Sequence, residues 1–367
     1  MPFDSTAVLA RRLATQRLVG SPLSSPVEVV ELLTCVQSQE LGHALWSLGM
    51  RCAPTTYAKI MAMFDAGDLL RTHLLRPTWH LVAPADLGWI LAATSDRVHQ
   101  RNAGMYRQTG IDHHTAVRTA ELLTEMLAGG RSLTRSEIGE RLATGGIEQP
   151  TGMRLGYLVM HAELDGLIVS GPSRGNQQTY ALVAERLAGR TITRPEDPLA
   201  ELWRRYVVGH GPTSVRDFAR WSSLTLAAAR DAAARVADRL EHAEVDDEEL
   251  WWDPAAPDVD HQVAAEAVRL LPLYDELTLS YPRLGFPLSP GHPHPPDEDL
   301  RWGAVIADLT NVGLWRRTLA DGRRRSVSLA NTLDPAISTN RRAAVDTELD
   351  RLATFLEAEP VKEDWAR

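Results

Sequence analysis

Apolar positions near the start of the chain recur at helical spacing, stop, and then begin again in a different register. Val29, Leu33 and Val36 make one stripe, and Leu41, Ala44 and Leu48 make the next. The first stripe sits in SPVEVVELLTCV, where Ser25 is placed to cap a helix and Pro26 to occupy its first turn. LGHALWSL reads as a second helix, and TTYAKIMAMFDAG as a third that Gly67 stops. LLRTHLL and TWHLVA then read as strands on either side of Arg76-Pro77. Helix, helix, helix and two-stranded wing is the winged-helix order.

That order recurs twice. HTAVRTAELLTEMLAGG is a helix with a glycine stop, and TRSEIGERLATGG places Thr134 three residues before Glu137, a capping box. GMRLGYLVMHAELDGL stands where a recognition helix would, followed by the hairpin LIVSGPSRGNQQTYALV. The third copy begins at DPLAELWRRYVVGHG, reads as helical up to ARV except at Gly209–Thr213, and ends in the strands RLEHAEV and ELWWD. EAVRLLPLYDEL, WGAVIADL, VGLWRRTL and RRRSVSLA then make a strand-rich stretch, closed by the helix STNRRAAVDTELDRLATFLEAE. The expected fold is mainly α with β hairpins (α+β): three tandem winged helices and a barrel-like C-terminal region. The expected limits are 1–110, 111–190, 191–254 and 255–367, and a chain of 367 residues is long enough for several modules.

The gap between the first two stripes reads VQSQE (36–40). A continuous helix would turn Gln37 and Gln39 about 200° apart and push one amide into the core, at a cost of roughly 1–3 kcal/mol if unpaired. An extended segment would instead point both the same way. The plain alternatives are a helix cap or a solvated kink.

Composition narrows the chemistry. Hydrophobic content of 44% and charged content of 24% describe a globular protein. No apolar run approaches the ~20 residues of a membrane span, and MPFDSTAVLARRLATQRL lacks a signal-peptide core. The expected location is cytoplasmic. Cys35 and Cys52 are too few for a disulfide scaffold or a cysteine-rich zinc module. DHH (112–114) and GHPHPP (291–296) read as loops rather than metal ligands, and no glycine-rich phosphate loop appears, so neither metal nor cofactor is expected. The net charge is −9, yet acids collect in EVDDEE and PDEDL. Arginines collect elsewhere, at Arg71 and Arg76, at Arg97, Arg101 and Arg107, and at Arg323, Arg324 and Arg325. Lys59 and Lys362 are the only lysines, so a Schiff-base nucleophile has almost no candidate.

VQSQE, LLRPTWHLV and LLPLYDELTLSY together resemble a bacterial family of winged-helix DNA glycosylases, with YcaQ-like and AlkZ-like branches, over about residues 25 to 330. Gln37-Ser38-Gln39 is similar to the Gln-x-Gln of the AlkZ-like branch. The resemblance implies excision of N7-alkylated guanine from double-stranded DNA, including unhooking of interstrand crosslinks, as self-resistance to a DNA-alkylating antibiotic. It implies Gln37 and Gln39 as the catalytic pair in a monomeric, nucleoid-associated enzyme without cofactor. Arg71, Arg76, His80, Arg154, Arg174, Asn176 and Gln177 are expected to contact DNA. Asp275 is the alternative carboxylate for activating water, or else a structural hydrogen-bonding residue. The competing reading is a non-catalytic winged-helix regulator or damage sensor, which would not require paired amides.

Overall fold

The computed structural model describes residues 4–282, 285–294, 302–320 and 326–364. The chain opens with helix α1 (Ser5–Thr15), capped by Asp4, which the hydrophobic pattern had not singled out. The first module follows: α2 (Pro26–Leu33), β1 (Val36–Gln37), α3 (Leu41–Arg51), α4 (Tyr57–Ala66), β2 (Leu70–His73) and β3 (Trp79–Val82). Ser25 caps α2 by accepting the Glu28 N–H, and Gly67 ends α4 in the left-handed region at φ 79°. The strands form one antiparallel sheet in the order β1-β3-β2, with His80 opposite both Gln37 and Thr72.

A long helix, α5 (Leu87–Gln108), leads to the second module: α6 (His113–Leu127), β4 (Leu133–Thr134), α7 (Arg135–Thr144), α8 (Gly152–Leu164), β5 (Ile168–Ser170) and β6 (Thr179–Leu182). The capping box of Thr134 and Glu137 is present at the start of α7. The DHH stretch is no loop: Asp112 caps α6, and both histidines lie in its first turn. After α9 (Val183–Arg186) the third module runs through α10 (Pro198–His210), α11 (Val215–Ser222), α12 (Leu226–Ala234), β7 (Glu241–Val245) and β8 (Glu248–Trp252). Its helical run breaks twice rather than once, because Ser223 turns left-handed at φ 60° and Thr225 caps a new helix.

The C-terminal region holds α13 (His261–Glu266), β9 (Arg269–Leu271), α14 (Glu276–Leu279), β10 (Gly303–Ala307), β11 (Thr310–Ala320), β12 (Ser326–Leu333), α15 (Thr339–Phe355) and β13 (Glu359–Asp364). Its strands form a sheet in the order β13-β12-β11-β10-β9. The described strands therefore make an open sheet, not a barrel. The strand expected through EAVRLLPLYDEL lasts only to Leu271, because Pro272 has no N–H for the ladder and Asp275 then caps α14.

One core joins both ends of the chain. Residues of α1, α2, α3 and α4 pack with those of β9 to β12 and α15. Trp46 of α3 donates to the Leu270 carbonyl at 2.9 Å, and Trp315 of β11 donates to the Leu271 carbonyl at 2.8 Å. A second core joins the first wing and α5 to the third module, while the second module closes largely on itself.

Asp275 belongs to this framework. Its side chain is fully buried; Arg51 meets both carboxylate oxygens, at 2.8 and 2.9 Å, and Ser47 donates at 2.7 Å. Burial alone would raise this carboxyl, but the charge and hydrogen bonds of Arg51 outweigh it and hold it below its ordinary range. No acceptor position is left to activate a water. Arg51→Met is expected to strand the carboxylate and lower stability by about 3–5 kcal/mol, measured by urea unfolding.

Candidate active site

The break in the helical pattern is the short strand that a winged helix places between its first two helices. In the second module that strand runs directly into the helix, with Thr134 ending the one and capping the other. In the third, Thr213 bridges to Trp251 and Ser214 caps α11 in a capping box with Asp217. The first module differs. Ser38, Gln39 and Glu40 intervene between β1 and α3, and no side chain caps the helix. Arg71 fixes these extra residues by donating from Nε and Nη2 to the Ser38 carbonyl at 3.1 and 2.7 Å, and from Nη2 to the Gln39 carbonyl at 3.5 Å.

The two amides stand in unlike surroundings. Gln37 is buried at 7% exposure, and its carbonyl Oε1 accepts from Arg76 Nη2 at 2.6 Å. A guanidinium can only donate, so this contact leaves the Gln37 NH2 as the outward-acting end. Gln39 is exposed, with no side-chain partner among the described residues. The backbone N–H of Gln37 donates to Glu276 Oε1 at 2.8 Å. Glu276 is itself fully buried; its other oxygen takes the Trp221 Nε1–H at 2.8 Å and lies 3.6 Å from His210 Nε2. One carboxylate thus ties the motif to the third module. Glu276 lies in LLPLYDELTLSY next to Asp275, the carboxylate expected from the sequence as the alternative for activating water.

The remaining sequence candidates divide. His80 is a correction: its ring is fully enclosed, with neither nitrogen partnered, and does not face DNA. Burial, then Arg76 and His73, push its pKa well below the usual value, so it is neutral. Arg71 is 7% exposed and lies 4.4 Å from the Trp79 ring centroid, also donating to Gln178. Burial lowers its pKa to about 10, which leaves it cationic, but its charge serves the motif backbone. Arg154 donates to the carbonyls of Thr109 and Gly110, and Arg174 is paired with Glu137 at 2.7 Å. Asn176 and Gln177 are exposed at the second wing's tip. Arg323, Arg324, Arg325 and part of GHPHPP lie outside the described residues.

A cleft of about 740 Å³ opens between the first wing, at Arg71 and Trp79, and Thr134, Arg135, Gln178 and Tyr180 of the second module. Neither Gln37 nor Gln39 lines it. Motif and cleft are neighbours that share Arg71, and the motif stands outside the cleft, with Gln37 buried and Gln39 exposed.

His43 on α3, four residues after Gln39, accepts the Leu273 N–H through Nδ1 at 3.1 Å and stacks on Trp315. Burial, helped by Arg317, lowers its pKa to about 4. Between about pH 6.5 and about 4 the unfolded chain therefore takes up a proton that the folded chain refuses. Stability should be intact above that window and fall within it, by up to about 1.4 kcal/mol per pH unit for one such group. Urea unfolding at a series of pH values should show a shallower fall for His43→Gln than for the parent.

Comparison with known proteins gives three findings. The pattern of the family described as DNA glycosylase AlkZ-like matches residues 30–355. An interstrand DNA cross-link repair glycosylase of Streptomyces sahachiroi is 26% identical over 226 residues, 59% of this chain and 60% of that protein. The chain thus matches about three fifths of the length of this curated relative. The solved structure of the Streptomyces sahachiroi DNA glycosylase AlkZ superimposes with a TM-score of 0.78 at 22% identity, covering 99% of this chain and 100% of that one, a likeness of fold. With a family match running across nine tenths of its length, and the fold to accompany it, the chain belongs to the AlkZ-like DNA glycosylase family.

Proposed function

We propose that the protein is a monofunctional DNA glycosylase that hydrolyses the N-glycosidic bond of N7-alkylated guanine in duplex DNA. The observation that carries this reading is the inserted corner of the first module, which holds a buried, oriented amide beside an exposed one. N7-alkylation puts positive charge on the base, so the leaving group needs no strong general acid. What remains is an oxocarbenium-like sugar and a water to capture it. The Gln37 NH2, aimed by Arg76, donates to the sugar or to the water, and the Gln39 carbonyl accepts from that water. Neutral amides are weak bases, so an unmodified nucleoside with its poor leaving group stays intact.

The relative named as an interstrand cross-link repair glycosylase extends the proposal to crosslinked guanine. A base tied across the duplex cannot swing alone into a closed pocket. An exposed corner suits such a substrate, and a monomer suffices to present it. The regulator reading has no use for a buried amide whose carbonyl is held by an arginine.

Gln37→Ala and Gln39→Ala should each slow single-turnover release of N7-methylguanine on the order of a hundredfold, with DNA affinity nearly unchanged. Parental rates in both variants would remove the catalytic assignment. Glu276→Ala should slow release while leaving affinity in place, because it frees the Gln37 backbone. Glu276→Gln keeps an acceptor for that N–H and should recover much of the rate. Strands should stay unbroken until alkali is added. Lys59 is exposed on α4, outside the motif; trapping a covalent protein–DNA adduct with borohydride would contradict the monofunctional assignment.

A further inference from the structure

Away from the amides, His99 of α5 and His161 and Asp165 at the end of α8 bring two imidazoles and a carboxylate together. One ligand atom from each lies within 4.8 Å of the others. His161 and Asp165 are four residues apart and so share one face of the helix end. His99 reaches them from the facing helix, above a small core of Val98, Met160 and Leu164. His99 Nε2 stands 3.2 Å from Asp165 Oδ1, and His161 Nδ1 stands 2.9 Å from Asp165 Oδ2. The two imidazole rings lie 4.6 Å apart.

We propose that His99, His161 and Asp165 form a binding site for a divalent cation of the zinc class, with water as the fourth ligand. A simple ion pair on α8 would need one histidine, whereas this carboxylate has a second imidazole on its other oxygen. Bonds of about 2.0–2.2 Å in a tetrahedral shell set neighbouring ligand atoms about 3.3–3.6 Å apart. The observed separations reach that range with small side-chain rotations. Two imidazoles and one carboxylate suit zinc or cobalt better than calcium or magnesium, which take oxygen shells. On entry the cation replaces the ring protons directed at Asp165, and these leave to solvent. Tyr106 Oη lies 3.0 Å from His99 Nδ1, where it holds the outer nitrogen and fixes the ring. Side-chain exposures of 22%, 24% and 47% leave the cluster open to solvent on one side, so the cation and its water have a path in. Once bound, the ion clasps α5 to α8 and fixes the second module on the helix that carries it.

The test uses the full chain, stripped with a chelator and titrated with zinc by calorimetry and with cobalt by visible absorption. One equivalent should bind with micromolar or tighter affinity, and cobalt should give the intense visible bands of a four-coordinate site. His161→Ala and Asp165→Asn should each weaken binding at least tenfold, while His113→Ala and His114→Ala on α6 leave it unchanged. Circular dichroism checks that each variant is folded. If one is not, His99→Gln, which keeps a polar side chain on α5, replaces it in the comparison. No saturable binding at millimolar zinc, or equal affinity in the parent and the folded ligand variants, would overturn the proposal.

Discussion

Two adjacent carboxylates on one turn govern how the molecule is put together. Asp275 reaches into α3 through Arg51 and Ser47, and Glu276 reaches β1 and the third module through Gln37 and Trp221. Both are enclosed, and a buried charge without partners is among the costliest features a fold can hold. That cost makes the arrangement definite. Every donor has to be in place, so α3, β1 and α11 are fixed relative to a single tight turn. The amide corner inherits this precision from a segment it does not touch in sequence.

The repeated module explains how such a corner arises. In the second and third copies, the junction between strand and helix is closed by its own capping box, and little is left over to act on another molecule. The first copy departs from this economy. It lengthens the junction by Ser38, Gln39 and Glu40, gives up the side-chain cap, and lets Arg71 satisfy the Ser38 and Gln39 carbonyls from β2, across the intervening β3. The same guanidinium stacks on Trp79 and reaches Gln178, so the second module braces the corner as well.

Much of this was readable along the chain, because the relevant signals are local. Ser25 and Pro26, Gly67, and the pair Thr134 and Glu137 announce helix ends within a few residues. The loss of helical period at VQSQE is equally local, and it marked Gln37 and Gln39 directly. Partners chosen across the fold left no such trace. Nothing near His80 says that its ring is fully enclosed, and nothing near His161 announces His99. Asp275 and Glu276 look alike in sequence, and only their contacts separate them. The open C-terminal sheet was misread for a related reason: closure depends on how edge strands meet, and alternation of residues is the same in sheet and barrel.

The bond between Gln37 and Glu276 joins residues 239 positions apart. During synthesis the amides leave the ribosome early, while the carboxylate that sets their backbone arrives roughly three quarters of the way along the chain. The shared core of α2, α3, β9 to β12 and α15 imposes the same delay. A truncated product therefore carries both glutamines but lacks the buried anchor that holds them in the extended corner. The extended corner is therefore a late product of folding, although the residues that form it are among the first to be made.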